Sequence, residues 1–310
     1  IWAAVLGITF QFFINMEIAR YTLVTGESVF VGLARKFGRF TPIWFIISTL
    51  VPWMWPGIIA ASATVFAAAL GIAYSKYVGM LLLLFLGAIY SIGTVVYKTQ
   101  EKVQKAIILV GVPFIFIVTL LLTRSTDWQA LLSGLAGQGE GFLLIPLGLP
   151  LATFLAAFAY AGAGGNLNLA QSLYVKEKGY GMGKYSGRIT NILLGKKEAV
   201  ELEGNTFPLT SENLKRFRQW WQRINLEHAM VFWLTGALTM LLLSLLAYAT
   251  VYKNPGVETG INFVILEASV IAQKTFPFLG TFFLVMAAVM LFGTQFSVYG
   301  SNSRIAGENL

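Results

Sequence analysis

The sequence predicts an all-α, multi-pass membrane protein, and two observations carry that prediction. Seven apolar stretches, at 1–24, 42–72, 78–97, 104–123, 150–175, 228–252 and 277–300, fill most of the chain. A helix rises about 1.5 Å per residue, so ~20 apolar residues cover a hydrocarbon core of ~30 Å. The loops between the stretches alternate between rich and poor in Lys and Arg, which supports both the segment count and an orientation. The composition agrees, with 56% hydrophobic and 12% charged residues.

The first stretch begins at Ile1, inside an apolar run with no initiator Met and no basic region ahead of it, as expected for a piece of a longer chain without a signal peptide. Within it Glu17 and Arg20 stand three residues apart on one face. They read as the main buried charges, either a mutual ion pair near the cytoplasmic end or a gating pair. Arg35, Lys36 and Arg39 follow. In the second stretch Pro52 and Pro56 bracket Trp53–Trp55, which predicts a kink there. Only Lys76 precedes the third stretch, where Gly79, Gly87 and Gly93 suit close helix packing. Lys98, Lys102 and Lys105 precede the fourth, and Arg124 alone follows it. The positive-inside rule makes the rich loops cytoplasmic. The net charge of +8 is therefore topogenic and calls for no nucleic-acid partner. The absence of cysteine excludes disulfides, thiolate metal sites and Cys nucleophiles.

The long loop 176–227 is basic throughout. Its Gly- and Lys-rich start reads as mobile, and 198–209 alternates enough to suggest a short hairpin. Thr210 or Ser211 can cap a helix over 211–226. Leu214, Phe217, Trp221 and Ile224 share one stripe of it, with Lys215, Arg216, Arg218 and Arg223 over the rest. Such a helix either lies on the inner leaflet or packs on the ends of the bundle. His228, the only histidine, opens the sixth stretch and reads as an interfacial packing or capping group, with a proton relay as the less favoured alternative. Alone it makes no multi-His metal site.

Chemistry concentrates in the fifth stretch, whose centre reads Ala159-Tyr160-Ala161-Gly162-Ala163-Gly164-Gly165-Asn166-Leu167-Asn168. Gly costs a helix ~1 kcal/mol relative to Ala, and Asn in hydrocarbon needs a partner. One reading is a helix broken at mid-membrane, with unwound carbonyls facing a cavity. Gly162, Gly165, Asn166 and Asn168 would then line a substrate site. Oxygen donors of that kind suit a hard, partly hydrated cation. The other reading is tight packing through small residues.

Several short motifs resemble those of the Nramp divalent-metal transporters. Arg20 to Gly26 resembles the Arg-x-x-x-Val-Thr-Gly ending of that family's second helix. Ser62-Ala63 is similar to the Ser-Ala of its third helix, Glu101-Lys102-Val103 to the start of its fifth, and Asn168-Leu169 to the Asn-Leu of its sixth. Gln295 to Gly307 is similar to the Gln- and Gly-rich end of its eighth. The resemblance implies a LeuT-type inverted-repeat fold, with this chain covering helices two to eight and divalent cations as cargo rather than cofactor. The expected location is a bacterial inner membrane. It also implies a metal site at Gly162, Gly165 and Asn166, where Gly165 stands for the family's Met. Losing that thioether points away from soft transition metals and towards Mg²⁺ or Mn²⁺, as in the Nramp-related magnesium transporters. Trp55, Ile58 and Leu167 stand where the family places protonatable groups, which implies transport uncoupled from protons.

Two other functions compete. An amino-acid or organic-cation carrier of the same fold would use the same broken helix, and a non-transporting scaffold would need none. An enzyme is not expected, because acyltransferases and proteases need acid, base or nucleophile clusters at membrane depth. Membrane lipids are the remaining expected partner.

Overall fold

The computed structural model describes residues 1–74, 76–92, 96–139, 142–145, 148–186, 202–252 and 260–310. It is all-α apart from one antiparallel pair of two-residue strands, β1 (Gln138–Gly139) and β2 (Phe142–Leu143). The helices are α1 (Trp2–Thr25), α2 (Val29–Phe37), α3 (Phe40–Trp53), α4 (Gly57–Ala69), α5 (Lys76–Ser91), α6 (Val96–Leu122) and α7 (Ser125–Leu135). After the strands come α8 (Leu151–Ala159), α9 (Asn166–Leu169), α10 (Gln171–Lys178), α11 (Ser211–His228), α12 (Thr235–Thr250), α13 (Asn262–Lys274) and α14 (Pro277–Asn309).

Among the described residues, five helical runs are long and apolar enough to cross a membrane: Trp2–Thr25, Phe40–Ala69, Tyr97–Leu122, Ser211–Thr250 and Pro277–Asn309. That is compatible with an integral membrane protein. Of the other two apolar stretches, one forms the 16-residue α5 and the other is the interrupted series α8, α9 and α10. The second stretch breaks between Trp53 and Gly57, where Pro56 has no N–H to offer a helix. Lys98, Lys102 and Lys105 lie on the first turns of α6 rather than in a loop. Helices α7 and α13 occupy segments read from sequence as loops.

The largest correction concerns α11. The helix expected over 211–226 forms and its apolar stripe packs on the bundle, the second of the two expected arrangements, but it is not a separate helix. Six residues of π-helix, Ala229–Leu234, join it to α12 in one 40-residue helix. At about 1.5 Å per residue that rod is ~60 Å long, twice the thickness of a bilayer core. Thr210 caps it, accepting from the Asn213 N–H at 3.2 Å. Its inner stripe packs on the end of α1 and on α10, with Ile224, Phe217 and Trp221 clustered with Ala19 and Leu23 of α1 and Val175 of α10. Residues 202–209 carry no strand, and the first half of the expected hairpin lies outside the described residues, as does Gly93.

The main core joins α4, α6, α12, α13 and α14 around Val65, Val118, Leu246, Ile271 and Phe283. Within it the Ser62 hydroxyl donates to the Ala288 carbonyl at 2.8 Å, which satisfies a polar group deep between α4 and α14. Helix α14 therefore acts as the central post, and the interrupted helix leans on its last turns.

Candidate functional site

Helix α8 ends at Ala159, and regular bonding resumes only at Asn166. The sequence expected this break over 159–168, and it falls at 160–165. Gly164 and Gly165 have φ of 73° and 52°, conformations that side chains with a Cβ rarely adopt. A Met at 165, the residue the resemblance would place there, would be strained by the backbone even though open space lies around the position. Among the described residues, no hydrogen bond reaches the carbonyls of Tyr160, Ala161, Gly162 or Ala163.

Gln11 of α1 faces the break. Its Nε2 donates to the Ala159 carbonyl at 2.8 Å, and its Oε1 accepts from the Ala163 N–H at 2.9 Å and the Gly164 N–H at 3.4 Å. On the far side Asn166 Nδ2 donates to Ser48 Oγ and Thr49 Oγ1, both at 2.8 Å, which ties the restarted helix to α3.

A cavity of about 840 Å³ opens beside the break. Tyr160 to Ala163 and Asn168 line one wall, and the facing walls come from α1, α6, α12 and α14. Its polar lining consists of the amides of Asn15, Gln100, Gln104, Asn168 and Gln171, hydroxyls such as Thr235, Thr239 and Ser301, and the imidazole of His228. No Asp, Glu, Lys or Arg lines it among the described residues, and none of these residues assemble a group of three or more His, Cys, Asp or Glu. Two of its amide oxygens, Asn15 Oδ1 and Asn168 Oδ1, are buried and accept no hydrogen bond. A buried acceptor left unpaired costs ~1–3 kcal/mol, so these two oxygens are free to take a ligand or water from the cavity that they border.

Two buried ion pairs lie behind the cavity-lining residues Gln100, Tyr174 and Ser301. Lys176 pairs with Glu308 at 3.1 Å, and Arg304 pairs with Glu177 at 2.6 Å, all four side chains being buried. Arg304 also donates to Gln100 Oε1 at 2.9 Å, Gln100 donates to the Tyr174 hydroxyl at 3.0 Å, and that hydroxyl meets Ser301 Oγ at 2.9 Å. Beyond the end of α1, Glu27 is buried and takes hydrogen bonds from Tyr21, both guanidinium nitrogens of Arg35 and the Gly204 N–H. Burial would raise its carboxyl, but those bonds outweigh the burial and hold it below the ordinary carboxylate value.

The residues expected from sequence separate into groups. Gly162 and Asn168 line the cavity, whereas Gly165 and Asn166 do not. Glu17 and Arg20 do pair, through Arg20 Nε at 2.8 Å, but their side chains are 62% and 56% exposed and face away from the cavity. The expectation that they are buried is corrected, because they sit on the outer face of α1. His228 is stacked between Phe12 and Phe232, with ring centroids at 5.6 Å and 4.7 Å. It borders the cavity instead of standing at a surface. Sequence reasoning missed Gln11, Asn15, Gln100 and Gln104. A signal was present for Gln11 and Asn15, two amides four residues apart in an apolar run, because polar groups in spans are rarely idle; Gln100 and Gln104 have the same spacing but lie among charged residues that mask it.

Compared with protein-family models, curated proteins and solved structures, the chain has no significant match. The likeness to Nramp transporters rests on the residues quoted for it. The class established by the fold is a predominantly helical protein with, among the described residues, five apolar helices of membrane-crossing length and an interrupted helix beside a cavity.

Proposed function

We propose that this chain carries divalent cations of the Mg²⁺/Mn²⁺ class across a bilayer, as an Nramp-like transporter of LeuT-type fold, at the interrupted helix. The observation that carries the reading is the unclaimed run of carbonyls at 160–163 beside a cavity that also holds the unpaired oxygens of Asn15 and Asn168. Hard cations take oxygen ligands, and Mg²⁺ keeps several of its waters. At ~30 Å³ per water, a cavity of about 840 Å³ leaves ample room for a partly hydrated ion. The absence of carboxylates from the lining, among the described residues, favours uncoupled passage, since symport needs a group that exchanges its proton as the cargo binds, and His228 is the one imidazole that lines it.

The test is uptake by proteoliposomes loaded with a metal indicator and a pH dye. Saturable entry of Mg²⁺ and Mn²⁺, with comparable half-saturation and no internal acidification above protein-free vesicles, is the expected outcome. No entry above those vesicles sinks the reading, and metal-driven acidification sinks its uncoupled part.

One observation favours a second reading. A cavity lined by amides, hydroxyls and aromatic rings, with no carboxylate among the described residues, also suits a zwitterionic organic solute such as an amino acid. Counterflow of labelled amino acids from the same vesicles, without metal uptake, would select that carrier instead.

A further inference from the structure

We infer that Gln11 is a positioning residue for the interrupted helix: its carboxamide fixes the register of 160–165 and so decides which backbone carbonyls face the cavity. The functional half of this inference rests on the transport reading above, while its structural half rests on geometry alone.

Gln11 is 6% exposed and lies in the middle of α1. Its three bonds admit one orientation of the amide. A flipped group would set a donor against the Ala163 and Gly164 N–H groups and an acceptor against the Ala159 carbonyl. An unwound stretch has lost the ladder that would hold its dihedrals, so it needs restraint from outside. One side chain supplies it at both ends of the gap, from the last residue of α8 to the second-last before α9. By claiming Ala159 O and the two N–H groups, Gln11 leaves the carbonyls of 160–163 as the remainder. Gly162 is the counterpart of this seat. A Cβ there would run into Gln11 Oε1 and lie 2.6 Å from Phe232 Cζ, so the close approach of α1 requires glycine.

The test uses the full chain in detergent and in liposomes. Gln11→Met keeps the length and removes all three bonds. Amide hydrogen exchange across 160–166 should rise about tenfold, with exchange in α10 unchanged. The half-saturation concentration for Mg²⁺ and Mn²⁺ should rise about tenfold, with the maximal rate held within about twofold. Gln11→Glu keeps both acceptor bonds and should fall between wild type and Gln11→Met in exchange. Unchanged exchange in Gln11→Met overturns the inference. So does a fall in maximal rate at constant half-saturation, which would mark a general structural role. If the wild type moves neither ion, the transport reading fails and the exchange result still decides the brace. Should Gln11→Met not fold, Gly162→Ala compared in wild-type and Gln11→Ala backgrounds decides it. The substitution should perturb exchange less where residue 11 is Ala, and equal perturbation in both overturns the inference.

Discussion

Helices α8 and α10 lie on the two sides of one interruption, yet they are held by opposite means. Helix α8 has no buried residue and leans on α1 through rings such as Phe154 on Trp2 and Phe158 on Phe10. Helix α10 buries Ser172, Leu173, Val175, Lys176 and Glu177, and its two adjacent charges pair with Glu308 and Arg304, one turn apart on α14. Because the two pairs have reversed sign, α10 cannot slide by a turn without setting like charges together. Breaking a buried pair leaves an uncompensated charge, which costs far more than losing a lipid-facing contact. The difference teaches that the half-helix after the break is fixed to the central post, while the half before it rests on apolar contacts and on Gln11.

The largest effect should follow from attacking the fixed half. Arg304→Met strands Glu177 in the core and should cost about 3–5 kcal/mol, read as thermal unfolding in detergent. Leu155→Ala in α8, where the side chain is 51% exposed, should cost under about 1 kcal/mol. Equal costs would break the comparison. Glu177→Arg combined with Arg304→Glu should recover part of the loss and would sharpen it.

Next comes the break itself. Gly162→Ala should cost about 1–3 kcal/mol through overpacking against Gln11 and Phe232. Unfolding by heat with and without the substitution measures it.

A smaller effect attaches to Glu27. Its folded carboxyl is held below the unfolded value, so its contribution is present above the ordinary carboxylate range and disappears as pH falls through the folded value. Glu27→Gln should lower the melting temperature by roughly 2–4 °C at pH 7. The gap to wild type should close in acid, and a gap independent of pH would remove Glu27 from the account.

The smallest effect belongs to Glu17. Glu17→Gln removes an exposed pair and should change stability by less than about 0.5 kcal/mol and leave transport unaltered. A large transport defect would return Glu17 to the site.

Much of this was legible in the residues. Apolar length marked the spans, Pro52 and Pro56 marked the break in the second, and Gly164-Gly165 marked the interruption, because each acts through local backbone geometry. The direction in which Glu17 and Arg20 face was not legible. In a helix that is apolar all round, lipid and protein interior select the same residues, so no stripe marks the inner side. Gln11 was hidden for another reason, since its partners lie about 150 positions away. The union of α11 with α12 was hidden because His228 and the basic run before it look like a boundary in composition while the backbone hydrogen bonding continues across them.

That union is itself an asset of the molecule. A π-helical stretch such as Ala229–Leu234 accommodates one residue more than an α-helix would over the same rise. Each residue turns an α-helix by ~100°, so the insert sets the two parts of the rod out of phase. The α11 part presents Ile224 and Glu227 to α1 and Lys178, while the joint itself turns Trp233 towards Thr9. The rod works like a keyed shaft with two flats cut at different angles. Removing a single residue from 229–234 would return the joint to α-helical phase and realign the flats, with little change in the length of the rod.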